Sequence, residues 1–233
     1  MAHTMSLRET WAGDPASSIG RDHRALYFAE IGKELAALVP SPDALVLDYR
    51  CGDAFTADFI ATKCARLYLY ETASKVEAAL RKRYAGSKSI IVLNESLLRA
   101  LPDASLDVIV CNSVFQYLSR EECAAVVTFA AAKLKLGGRF IVADVLPPHV
   151  DSLTDSWAMV EFAYRGGFLF AALRGFAKTL FSRSRTSHRP KNLTTFAIPE
   201  MQRLLSTRGF ETRRLERNIG HNQARMTFIG KRV

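Results

Sequence analysis

Short apolar runs alternate along this chain with longer stretches in which apolar residues recur every three or four positions. The first pattern belongs to buried strands and the second to amphipathic helices. "ALVLD" (44–48), "RLYLYE" (66–71), "SIIVLN" (89–94), "DVIVCN" (107–112) and "RFIVADVL" (139–146) read as strands. Residues 21–40, 54–64, 73–86 and 120–138 read as helices, with Pro40 beyond the first, Gly86 closing the third and a glycine stop after the Lys-rich end of the last. The strands are apolar on both faces, as in a parallel sheet covered by helices on each side. Further on, residues 198–210 read as a helix, and 211–217 and 224–232 as two strands joined by "NIGHNQ". So short a link makes these two antiparallel neighbours. The expectation is one α/β domain over residues 1–233, built on a doubly wound, mostly parallel seven-stranded sheet.

The rhythm breaks after Pro147 and Pro148. Residues 149–192 are expected to form a helical lid inserted after strand five, at the carboxyl edge of the sheet. Most of the net charge of +9 lies in the window 162–199, which overlaps this segment. No Asp or Glu occurs from Phe162 to Pro199, whereas Arg165, Arg174, Lys178, Arg183, Arg185, Arg189 and Lys191 all fall there. Without those seven the chain has 25 basic against 23 acidic residues, so the basic character is local. Residues 161–191 add six aromatic side chains. In a helix, Arg174 and Lys178 share one face. Two readings fit: a lid with solvated arginines, or a lid that also handles a lipid-like or phosphate-bearing acceptor and touches an anionic membrane through 161–191.

Composition places the chain among globular proteins, with 48% hydrophobic and 24% charged residues. No apolar run reaches the ~18 residues a membrane-spanning helix needs. The first residues show no apolar stretch of the secretory kind. Cys51, Cys64, Cys111 and Cys123 form no CxxC pair. They are expected to be reduced thiols in a cytoplasmic protein, with neither a disulfide frame nor a metal site.

The chemistry lies at strand ends. Asp48 closes the first strand, Gly52 sits in the turn after it, and Glu71 closes the second strand 23 residues past Asp48. An acid ~20 residues beyond a glycine-containing first turn offers two carboxylate oxygens to the two hydroxyls of a ribose. Either acid alone fits helix capping equally well. The ordered set resembles the class I S-adenosylmethionine-dependent methyltransferases over roughly residues 40–146 and the terminal helix and strands. Asp48-Tyr49-Arg50-Cys51-Gly52-Asp53-Ala54 stands where that family has Asp-x-Gly-x-Gly-x-Gly, and "KLKLGGRFIVADV" (133–145) is the most family-like run. The resemblance implies a Rossmann-like fold, S-adenosylmethionine as cofactor and S-adenosylhomocysteine as product. It implies that Asp48, Arg50 and Gly52 form the cofactor turn, that Glu71 meets the ribose, and that Asn94 or Glu95 meets the adenine amine. Asn112 and Ser113, with Gln116, would contribute to the cofactor wall. Arg50 replaces a glycine, and its side chain has three options: solvent, the methionine carboxylate, or filling the pocket.

Methyl transfer from a sulfonium needs alignment and dryness more than acid–base help. No single motif announces it. DNA amino-methyltransferases of the family carry an Asn/Asp/Ser-Pro-Pro-aromatic turn after strand four, whereas Asn112-Ser113-Val114-Phe115 lacks the prolines. That turn looks like the small-molecule enzymes. Asp144, His149 and His221 lie at or just past strand ends and are the catalytic candidates, with Asn222 beside the last; each also fits a solvated loop. His23 fits a surface helix position. The expected function is O- or N-methylation of a small or lipid-linked acceptor. The alternatives are a non-catalytic module binding an anionic partner and an RNA-directed methyltransferase. Nucleic acid is the weaker partner, because "GFLFAAL" is too apolar for a solvated RNA groove. Nicotinamide chemistry is disfavoured by the absence of GxGxxG after strand one.

Overall fold

The computed structural model describes residues 18–148 and 193–233, with side chains from Tyr27 onward. The expected lid at 149–192 lies outside the described residues. Helix α1 (Ser18–Ala37) leads into β1 (Leu45–Tyr49), α2 (Ala57–Ala61), β2 (Arg66–Tyr70), α3 (Ser74–Arg83), β3 (Ile90–Leu93), α4 (Glu95–Ala100) and β4 (Leu106–Asn112). A 3-10 turn (Phe115–Tyr117), α5 (Arg120–Lys133), β5 (Leu134–Val145), α6 (Ile198–Ser206), β6 (Phe210–Arg214) and β7 (Met226–Arg232) follow.

The seven strands form one sheet in the order β3-β2-β1-β4-β5-β7-β6. The first five run parallel, and β7 is antiparallel to both β5 and β6. The apolar runs are buried on both faces. Leu47, Ile109, Phe140 and Val142 pack against Leu98, Val127 and Met201 on the face of α4, α5 and α6. Val46, Leu67, Val108 and Ile141 pack against Ile31, Leu35, Ile60 and Leu80 on the face of α1, α2 and α3. The order reverses between β1 and β4, so the carboxyl ends of these two strands flank the crevice where open α/β sheets bind ligands. The link after β6 reaches the same edge, because β6 runs parallel to β5 through the shared antiparallel neighbour β7.

Three boundaries differ from the sequence pattern. The helix expected over 120–138 ends at Lys133, and Leu134–Val145 is strand. Leu134 pairs with Leu106, and four residues then bulge out before Arg139 pairs with Val108. Gly137 takes a positive φ of 78° in this bulge, and a Cβ on Gly138 would stand 2.8 Å from the Lys135 carbonyl oxygen. The glycine pair therefore serves a bulged strand rather than a helix stop. The helix expected over 54–64 shrinks to Ala57–Ala61, because residues 50–54 form a turn with three left-handed residues. Helix α4 has no apolar signature; its start is made by Asn94, whose Oδ1 accepts the Leu97 N–H at 2.9 Å.

Helix α1 is tied over the carboxyl edge. The Gly220 N–H donates to Glu34 Oε2 at 2.6 Å, and a Cβ at Gly220 would come within 3.2 Å of Ile31. All four cysteines are free thiols, with Cys64, Cys111 and Cys123 buried.

Candidate active site

The turn after β1 keeps a special backbone despite its side chains. Arg50, Gly52 and Ala54 stand at the three glycine positions of the resembled motif, and all are left-handed, with φ of 57°, 56° and 49°. A residue with a Cβ loses roughly 1–2 kcal/mol in that conformation. Such strain persists only where the surroundings enforce it, and it clusters at ligand sites. The turn is held by Cys51 N–H to the Tyr70 carbonyl at 3.0 Å and by Arg83 Nη1 to the Asp53 carbonyl at 2.6 Å.

Two carboxylates converge on this turn. Glu71 is 6% exposed, and its Oε2 accepts the Gly52 N–H at 2.9 Å. Its Oε1 accepts the Thr72 N–H at 2.7 Å, the Ala73 N–H at 2.9 Å and the Thr72 hydroxyl at 3.2 Å. The side chain thus clamps the β1 turn to the β2 turn, and Oε2 retains capacity for a further donor. Asp48, 4% exposed, sits close enough to feel Glu71. Burial first, and then the Glu71 charge, push its carboxyl up to about 7.

Arg50 is half-buried. It lines a cavity of about 380 Å³ between α4 and α5, together with Tyr49, Glu95, Leu98, Arg99, Leu118 and Phe129. Its Nε is buried without a hydrogen-bond partner. The Tyr70 hydroxyl that donates to Glu95, then Arg99 and last the Arg50 charge, hold the Glu95 carboxyl below the usual range. Asn94 spends its side-chain oxygen on capping α4, and Glu95 accepts from Tyr70 and from Arg99 Nε at 2.7 Å.

At the neighbouring strand ends, Ser113 and Asp144 are both left-handed, with φ of 58° and 60°. The Ser113 hydroxyl donates to Asp144 Oδ2 at 2.8 Å. The Asp144 N–H donates to Asn218 Oδ1 at 3.3 Å, and that oxygen also accepts the Thr227 hydroxyl at 2.7 Å. Tyr27 of α1 packs edge-on against His221 with ring centroids 4.9 Å apart. Burial, then the Asp144 charge, push the Tyr27 hydroxyl well above its usual range. The Asn112 Oδ1 and Gln116 Oε1 atoms, on the turn leaving β4, are buried without a partner.

Residues 47–142 match the family model described as a methyltransferase domain. This stretch, β1 through β5, is similar to a methyltransferase domain. Solved structures agree in fold. The aminopentose methyltransferase CalS10 of Micromonospora echinaspora, solved with S-adenosylmethionine bound, is 15% identical with a TM-score of 0.63 over 95% of this chain and 99% of its own. The protein solved in complex with the Haloferax volcanii Trm112 methyltransferase activator is 13% identical, with a TM-score of 0.61 over 98% of this chain and 99% of its own. Human N-acetylserotonin methyltransferase, in complex with S-adenosylmethionine, is 12% identical with a TM-score of 0.59, over 92% of this chain and 54% of its own. No curated protein matches.

The fold brings Asp48, Gly52 and Glu71 together at one turn, and Ser113 with Asp144 at the next pair of strand ends. Asn94 faces its own helix, and Arg50 reaches Glu95 in the cavity below. His221 lies beside Tyr27, and the Asn222 carbonyl accepts from Asn218 Nδ2 at 3.0 Å. His149 and the side chain of His23 lie outside the described residues. Sequence reasoning missed Tyr27 and Asn218. Tyr27 is one more aromatic on an apolar helix, and Asn218 one more polar residue in a link; neither has a local signal.

Proposed function

We propose that this methyltransferase moves a methyl group from S-adenosylmethionine to a nitrogen or oxygen of a small or lipid-linked acceptor at the carboxyl rim. The observation that carries this reading is the left-handed Arg50–Gly52–Ala54 turn clamped by Glu71. Two of its three positions have lost glycine, yet the backbone holds the shape that lets a ligand approach. A fold kept only as a scaffold has no reason to retain that strain.

The residues present fit the cofactor. Glu71 Oε2 can accept a ribose hydroxyl while its other oxygen keeps the turn in place. Asp48 is buried on the same edge. Gly52, Asn112 and Ser113 form the remaining wall. S-adenosylmethionine, when bound, supplies an activated methyl group on a good leaving group. The chain's task is then to align the acceptor, exclude water and accept a proton. Asp144, positioned by Ser113 and Asn218, is the proton acceptor in this reading, and His149 and His221 are the further candidates.

In this reading the chain is one domain, with residues 149–192 as the cover of the acceptor site. Their basic and aromatic composition supports peripheral contact with an anionic membrane. Among the described residues no helix is long and apolar enough to cross one. Calorimetric titration with S-adenosylmethionine and S-adenosylhomocysteine tests the reading: micromolar binding of both supports it, and no binding of either favours a non-catalytic module.

A further inference from the structure

We infer that Asp48 and Glu71 share one proton while the cofactor site is empty and release it when a positively charged ligand binds, so that the site selects its cofactor by charge. This rests on the methyl-transfer reading and deepens it. Asp48 of β1 pairs with Leu69 of β2, so Glu71, two residues past Leu69, falls on the same face at the ends of neighbouring parallel strands. Both side chains are buried, at 4% and 6% exposure. Glu71 presents its oxygens to three backbone N–H groups and the Thr72 hydroxyl. Among the described residues, Asp48 accepts no hydrogen bond, and neither carboxyl has an ion-pair partner.

Two buried carboxylates on one face do not both stay ionised without a cation beside them. The other groups around the pair supply none. Cys51 on the turn and Cys111 on β4 are thiols that burial first, and then the Asp48 charge, push well above their usual range, so they stay neutral. Arg83 of α3 gives Nη1 to the Asp53 carbonyl, Arg50 lines the cavity between α4 and α5, and Glu34 of α1 holds the Gly220 N–H. Both Glu71 oxygens face N–H donors, so the proton sits on Asp48, whose carboxyl burial and then Glu71 push up to about 7. S-adenosylmethionine carries a fixed sulfonium charge and an α-ammonium. A positive charge entering this pocket takes the proton's place as counter-charge. The Asp48 O–H bond then breaks, its electron pair stays on the carboxylate, and the proton goes to water. A neutral nucleoside brings no such charge and leaves the proton where it is.

The test is calorimetric titration of the full chain with S-adenosylmethionine at pH 7 in two buffers of different ionisation enthalpy, which counts the protons released per ligand bound. About half a proton should leave per site, since a group titrating near 7 is half protonated there. Affinity should be about fivefold weaker at pH 6 than at pH 7. Asp48→Asn should release no measurable proton, and its affinity should change by less than about twofold between the same pH values. 5′-Methylthioadenosine, which keeps the nucleoside and carries neither positive charge, should bind without proton release or fail to bind. Binding of S-adenosylmethionine without proton release, release that persists in Asp48→Asn, or equal release by 5′-methylthioadenosine overturns the inference. The wild-type count decides the matter even where the variant does not fold. Failure of S-adenosylmethionine to bind at either pH sinks the methyl-transfer reading instead.

Discussion

The Ser113 hydroxyl donates to Asp144 Oδ2 at 2.8 Å, joining the ends of two adjacent parallel strands through two left-handed residues. The bond fixes the Asp144 carboxylate at the carboxyl edge of the sheet, where the proposed acceptor would sit. Asp144→Asn is expected to lower turnover by about 10²-fold or more, as the loss of a positioned proton acceptor does. S-adenosylmethionine affinity should stay within a few fold. Ser113→Ala should give a smaller loss in turnover. Paired calorimetry and turnover measurements separate the two effects, and a loss confined to cofactor affinity would move Asp144 out of the acceptor site.

Glu71 has two jobs in this structure, so its removal should show in two measurements. Glu71→Ala deprives the Gly52, Thr72 and Ala73 N–H groups of their acceptor. Stability in urea should fall by about 1–3 kcal/mol. Cofactor binding should weaken at least ~tenfold, a charge-assisted hydrogen bond being worth that much. Unchanged affinity in a folded variant would confine Glu71 to the structural job.

Ala54 is buried at 2% exposure with φ of 49°. Ala54→Gly removes the Cβ clash of the left-handed region but frees the unfolded chain. The net expectation is a gain of about 0.5–1 kcal/mol, seen as a higher urea midpoint with an unchanged slope. Cofactor affinity should be retained, because the turn already holds the required conformation. A loss of stability would mean that the alanine methyl contributes more by packing than it costs in strain.

Asp48 makes stability depend on pH. Its folded value of about 7 lies above the ~4 of an unfolded aspartate, so the folded state binds the proton more tightly. Its contribution is therefore complete below about pH 4, declines as pH rises from there to about 7, and stays lost above that. Asp48→Asn should flatten this slope and be more stable than wild type at pH 8 by about 1–3 kcal/mol. Melting temperatures between pH 4 and 8 for both proteins check it, and an identical slope would assign the titration to another group.

The apolar pattern carried most of the fold. The four strands β1 to β4 are where their apolar runs place them, because strands buried on both faces must be nearly continuous in apolar residues. Asp48, Gly52 and Glu71 were legible for a related reason. A polar residue ending a buried strand sits at the sheet edge, and in a parallel sheet those edges coincide. Local pattern failed where two periods compete. Leu134-Lys135-Leu136-Gly137-Gly138 continues a helical rhythm, and pairing of Leu134 with Leu106 overrode it.

What no reading of the chain could supply is the set of contacts between distant residues. Ser113 meets Asp144 only because β4 and β5 pair with Asn112 opposite Ala143. Tyr27 reaches His221 and feels Asp144 only because Gly220 lets α1 settle on the link after β6. Arg50 and Glu95 line one cavity only because α4 and α5 pack beside the end of β1. Residue type and spacing encode which surface is buried and with what period. Strand register and helix docking set which side chains meet across it, and those come from the packing of the whole chain.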